Sequence, residues 1–139
     1  MERIGLRVRP HLEVADTDCA AHSYGEVQKW FREHPCEALF RTLLEVRNHR
    51  DALVLVAVAW VDMPSTAQAV ALKRLVDRPG SGNITELSRE GGRYRNVRFT
   101  GMSYASRIID NTVINAQAEP VGGGALAVEL ATIARGAIS

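Results

Sequence analysis

Ten consecutive apolar residues, 52–61 (Ala-Leu-Val-Leu-Val-Ala-Val-Ala-Trp-Val), constrain this chain more than any other feature. The run has no polar side, and valine dominates it. A short β-branched run of this kind predicts a strand covered on both faces rather than a helix. It is also far short of the ~20 residues that span a bilayer.

The whole chain has 139 residues, enough for one domain, 1–139, with a real core. Seventeen basic residues against sixteen acidic ones leave a net charge of +1. No global field therefore points to nucleic acid or to an anionic membrane. Cys19 and Cys36 are too few for a disulfide scaffold and have no metal-ligand spacing. The N-terminus, Met1-Glu2-Arg3-Ile4-Gly5, lacks the apolar core of a secretory signal, so a cytoplasmic protein is expected.

Leu6, Val8, Leu12 and Val14 alternate with Arg7, Arg9, His11 and Glu13, which predicts a first strand with one buried face. Pro10 donates no hydrogen bond, so that strand is expected to have a free edge or a bulge there. After the polar connection 16–22, Ser23 and Glu26 read as a capping box opening a helix over 23–34. Pro35 interrupts it, and a second helical piece is expected to run to about 47 with Cys36, Leu39, Phe40, Leu43 and Leu44 on its apolar stripe. Residues 65–77 suit a helix opened by Ser65 and Gln68, with a strand as the competing reading. A turn over 78–83 precedes runs 84–89, 94–104 and 112–121, separated by turn signals at Gly91-Gly92 and Asp110-Asn111, which predict an antiparallel meander. Gly122-Gly123-Gly124 breaks the chain, and 125–138 fits either a helix or a strand. Strand, long helix, then antiparallel strands is an α+β order.

Chemistry is concentrated in Asp16-Thr17-Asp18-Cys19-Ala20-Ala21-His22. A carboxylate beside a helix N-terminus can serve as base or nucleophile while free N–H groups polarise a carbonyl. The same aspartates can equally do no more than satisfy loop amides.

The run 12–31, L-E-V-A-D-T-D-C-A-A-H-S-Y-G-E-V-Q-K-W-F, resembles the opening of the 4-hydroxybenzoyl-CoA thioesterase-like branch of the hotdog superfamily, and is similar to the thioesterases linked to enediyne polyketide synthesis. The resemblance implies a hotdog fold, an antiparallel sheet wrapped around a central helix, and assembly as a homodimer or homotetramer. It implies hydrolysis of an acyl-CoA or acyl-carrier-protein thioester without a cofactor or metal. Asp18 matches the family's catalytic carboxylate, His22 the position near the thioester, and the N–H groups at His22 and Ser23 the carbonyl-polarising helix end. Ala21 replaces the usual glycine, and the asparagines that commonly follow are replaced by Ser23, Tyr24 and Gly25. Glu26 and Glu37 are alternative carboxylates.

Arg93 and Arg95 would share one face of a strand. They could clamp the phosphates of coenzyme A or phosphopantetheine, or simply form a solvated face. Trp30 and Phe31 read as core or as tunnel lining, and His11 and His49 as surface residues. The alternative from another class is a non-hydrolytic ligand-binding or tailoring protein on an NTF2-like α+β cone. There the apolar residues would line a cavity, and Asp16 or Asp18 would be structural.

Overall fold

The apolar run becomes the middle strand of a five-stranded antiparallel sheet. A computed structural model describes residues 6–122 and 127–139. In chain order the elements are β1 (Arg7–Asp16), α1 (Gly25–Glu33), β2 (Ala38–Arg47), β3 (Leu53–Asp62), α2 (Thr66–Val76), α3 (Leu87–Glu90), β4 (Tyr104–Ile109), β5 (Thr112–Val121) and α4 (Ala127–Ala137). The sheet order is β1-β2-β3-β5-β4, and the class is α+β as expected. Gly123, Gly124 and the start of the tail at 125–126 lie outside the described residues, as does the N-terminus 1–5.

β3 pairs along its full length with β2 on one side and β5 on the other. Its Val54, Val56 and Val58 face α4, packing with Val46, Ile114, Ala116 and Ile133. Its odd-numbered residues face α1, α2 and α3. There Phe31, Leu39, Val61 and Leu72 form one cluster, and Leu43, Leu55, Leu87 and Phe99 another.

This arrangement corrects the helix expected over 23–47. α1 stops at Glu33, and 38–47 is β2. The stripe at 36, 39, 40, 43 and 44 has helical spacing, but an apolar β3 needs a strand partner, and the adjacent segment supplies it. The turn at 48–51 closes this hairpin, with Asn48 Oδ1 accepting from the N–H of Arg50 at 2.9 Å and of Ala52 at 3.0 Å. Residues 65–77 are helical as favoured, and Ser65 Oγ accepts from the Gln68 N–H. The tail resolves to a helix.

The expected meander is realised only in its last hairpin. Residues 112–121 form β5 and Asp110-Asn111 makes the turn, but the preceding strand is short, 104–109. Leu87, Tyr94 and Phe99 are instead inserted into the core against Leu43 and Leu55, so the chain from 84 to 102 covers the sheet without joining it. β1 has both a free edge and a bulge. The register shift between Pro10 and Leu12 sends Val8 to Val46 on the α4 face and Leu12 to Leu43 on the other, so the four apolar residues do not share one face. The bulged His11 is half-buried, edge-on to the Tyr94 ring at 5.1 Å, and is not the surface residue expected.

Two further features surround α1. Cys19 and Cys36 form a disulfide that brackets the helix, with 17 residues of sequence separation. Sequence reasoning missed it, although the two cysteines flank the expected helix. The Ser23–Glu26 capping box does not form. Tyr24 occupies the cap position, and the Tyr24 and Val27 N–H groups donate to the carbonyls of Asn83 and Ser81. The 81–83 segment comes this close because Gly82 has no side chain. A Cβ there would collide with the Tyr24 carbonyl oxygen, and φ is +94°.

Two tests follow from this packing. Gly80 also has positive φ, +80°, but open space around it. Gly80→Ala is expected to cost about 1 kcal/mol by backbone strain alone, and Gly82→Ala at least about 3 kcal/mol because the clash adds to the strain; equal urea midpoints would refute the close approach. Replacing Cys19 and Cys36 together by serine is expected to lower stability by about 3 kcal/mol, the loop-entropy effect of a cross-link over a short loop, measured by urea unfolding without reductant.

Candidate functional site

The connection from β1 to α1 holds Asp18, His22 and Ser23 together, but most of their polar atoms already have partners. Asp18 Oδ1 accepts the Ala21 N–H at 3.0 Å and so heads a single 3-10 turn, Ala20–His22. Ser23 is buried, and its hydroxyl donates to the Cys19 carbonyl at 2.7 Å. The His22 N–H, an expected carbonyl-polarising donor, bonds the Cys19 carbonyl at 3.2 Å. The first turn of α1 faces carbonyls of residues 81 and 83. Within that turn the Val27 N–H is therefore already bonded by backbone.

A charged network runs from this turn into the sheet. Asp16 Oδ1 accepts the N–H groups of Asp18 and Thr17, which with His22 hold its carboxyl below the usual range. Asp16 Oδ2 lies 2.8 Å from His22 Nε2, and His22 Nδ1 lies 3.0 Å from Glu90 Oε2. Glu90 also meets Nη1 of Arg41 at 2.9 Å. Partial burial pushes the Glu90 carboxyl up, but Arg41 and His22 outweigh it and hold the group below its ordinary value. With a carboxylate at each ring nitrogen, His22 ties the turn to α3, and Glu90 carries the link on to Arg41 of β2. Sequence reasoning missed Glu90 and Arg41: Arg41 lay in a segment expected to be helical, and Glu90 between the run 84–89 and the Gly91-Gly92 turn.

Arg93 and Arg95 do not form the expected pair, because residues 91–103 are not a strand. Arg93 Nη2 meets Glu45 Oε2 at 2.6 Å and its guanidinium stands 5.2 Å over the Tyr94 ring. The Tyr94 hydroxyl donates to the same Glu45 oxygen. That bond, reinforced by Arg93, holds the Glu45 carboxyl below its ordinary value. Arg95 is exposed. Trp30 and Phe31 belong to the core, Trp30 stacking on His34 at 4.4 Å.

A cleft lies on the same face of the sheet, where β3 offers only alanine. In one row across the sheet Arg41, Ala59 and Asn115 are neighbours; in the next, Leu43, Ala57, Gln117 and Tyr104. The two small residues leave room above the strand for the long polar ones beside them. Arg41, Glu86, Asn115 and Gln117 line a small cavity of about 10 Å³. Gln117 also lines a wider groove of about 530 Å³, walled by Tyr24, Phe99, Met102 and Tyr104. Asp77 sits on its rim, accepting from the hydroxyls of Tyr104 at 2.9 Å and Ser106 at 2.5 Å. Burial, with the nearby Asp77 charge, pushes the Tyr104 phenol far up, so it stays a neutral donor. Nothing in the sequence marked this site, because its walls come from six separate segments.

No protein-family model matches the chain, and no curated protein or solved structure matches it. Among the described residues no helix is long and apolar enough to cross a membrane, and no group of three His, Cys, Asp or Glu is placed to hold a metal ion.

Glu90→Gln tests the network. It leaves Arg41 without its carboxylate, and a loss of about 2 kcal/mol is expected at pH 7, less than for a fully buried pair because Glu90 is one-third exposed. Because the folded pKa of Glu90 is depressed, its contribution is present above its ordinary value of 4.5 and is lost as pH falls through the folded value. The parent is therefore expected to lose stability below pH 4.5 more steeply than the variant; parallel acid limbs in urea titrations would contradict the network.

Proposed function

We propose that this chain is a ligand-binding module that holds a small molecule in the groove beside α1 and β4 without hydrolysing it. The observation that carries this reading is the groove lined by Tyr24, Phe99 and Tyr104 together with Asp77, Arg78 and Thr100, which shares the lining residue Gln117 with the buried polar cavity. Concave, largely apolar sites with a few fixed polar groups are the usual form of small-molecule pockets, and this volume is within their common range of about 300–1,000 Å³. The bonds of Asp18, His22 and Ser23 to their surroundings support a structural role for the turn. The reading agrees with the expected non-hydrolytic alternative in function and does not depend on an NTF2-like fold. The Cys19–Cys36 disulfide supports an oxidising compartment in place of the cytoplasm.

An acyl thioesterase of the hotdog type is the second reading. One observation favours it: the Asp18 carboxylate is exposed beside an Asp16–His22 pair. In that case Asp18 assists the attack of water on an acyl-CoA or acyl-carrier-protein thioester. Exposed Arg95 is then left to receive its phosphates, and the chain works as a homodimer or homotetramer.

One pair of measurements separates the two. In a thermal-shift screen of aromatic small molecules, binders are expected, and Met102→Glu should weaken them at least about tenfold by removing the thioether contact that a bound ring makes at the groove mouth. Met102 is 87% exposed, so the change leaves the core alone. A screen without binders, or binders indifferent to Met102→Glu, overturns the groove. Thiol release from a panel of aliphatic and aromatic acyl-CoAs is expected to be absent. Turnover that falls about a hundredfold in Asp18→Asn would instead establish hydrolysis.

A further inference from the structure

The cleft floor holds two ion pairs, one unsatisfied donor and one carboxylate oxygen without a hydrogen bond, Glu86 Oε2. Arg41 is 2% exposed, and its Nη1 bonds Glu90 Oε2 at 2.9 Å and the Thr85 carbonyl at 3.1 Å. Its Nε is fully buried and has no partner among the described residues. Glu86, 4% exposed, lines the same cavity; its Oε1 accepts from Gln117 Nε2 at 3.3 Å and its Oε2 lies 2.9 Å from Arg89 Nε. The two cations are thus matched by two carboxylates. An unmet N–H in such a place loses the hydrogen bonds it would make in water, so it calls for an acceptor.

We propose that Arg41 Nε is the donor of a head-group subsite, which takes the neutral acceptor oxygen of a carboxamide or a hydroxyl, while the ligand's aromatic body lies in the groove. The proposal rests on the ligand-binding reading and narrows it to one chemical class. Size sets the first limit: about 10 Å³ admits a group no larger than a water molecule. Phosphate and sulfate are too large, but the tip of an amide or alcohol fits. Charge sets the second. A carboxylate would add a negative charge beside Glu86 and Glu90 with no spare cation, and an ammonium would face the Arg41 guanidinium. A neutral oxygen satisfies the N–H and leaves both ion pairs intact. The apolar walls at Phe99, Met102 and Tyr104 suit a ring.

The test follows the Arg41 Nε–H resonance in ¹⁵N-labelled protein while four probes with the same ring are added: benzamide, benzyl alcohol, benzoate and benzylamine. Benzamide and benzyl alcohol are expected to shift that resonance together with the amides of 99–102, and to bind at least about tenfold more tightly than the two charged probes. Arg41→Lys keeps a cation for Glu90 but lacks Nε–H, and benzamide affinity should fall about tenfold, the effect of one hydrogen bond. Should that variant fail to fold, the parent resonance decides alone. Benzoate binding as well as benzamide would overturn the proposal. So would an Arg41 Nε–H left unmoved while 99–102 respond, which leaves the groove reading standing. If none of the four binds although the screen yields ligands, this subsite alone is wrong; if the screen is also empty, both are.

Discussion

The structure depends on β3 having no polar side. A strand that is apolar on both faces must be covered twice, and its backbone must be paired along both edges. The fold meets the first requirement with α4 on one face and α1, α2 and the 84–103 segment on the other. The second is met by β2 and β5, each in register with β3 from end to end. β1 and β4 then become the two outer strands. They are unlike: β1 carries a proline and a bulge, both of which discourage pairing with another chain, whereas β4 carries neither.

The same strand makes room for chemistry. Along β3 the order Val56-Ala57-Val58-Ala59 sends the valines towards α4 and the alanines towards the cleft. Packing on the α4 side is therefore dense, while on the other side Arg41 and Asn115 flank a methyl group where a larger side chain would fill the space. Buried polar groups are tolerated there because nearly all are bonded: Asn115 to Asn83, Gln117 to Glu86, Arg41 to Glu90. Polar groups at the centre of a sheet are costly unless they are paired, so the one donor left over is informative.

Most local signals were legible in the sequence, the Ser23–Glu26 box excepted, and those that depend on partners were not. The apolar run, the proline edge, the Ser65 cap and the Asp110-Asn111 turn each rest on a few adjacent residues, and each is found. Residues 38–47 were misread because Leu39, Leu43 and Leu44 fit both periodicities; the choice is made by β3, which the spacing does not record. Residues 84–103 were misread because apolar residues spaced for a strand served to plug a core. In the site, the crowded turn 16–22 was visible as a cluster of titratable groups, but its partners Glu90 and Arg41 are brought to it only by the fold.

The two neighbours of β3 arrive at very different times. β2 precedes it across a short hairpin, while Asp62 waits for Thr112, fifty residues later. At the ~5–20 residues per second of protein synthesis, that interval is several seconds. At its start, a strand apolar from Leu53 to Val61 has one bare edge and no helix yet on either face from the chain that follows. The intervening segment begins with α2 and ends by covering one of those faces, so the order of synthesis shields a side of the strand before its edge is closed. The growing chain is thus most exposed to association with its own copies at this stage, and a holdase that binds short extended apolar segments would find its best target at residues 53–61.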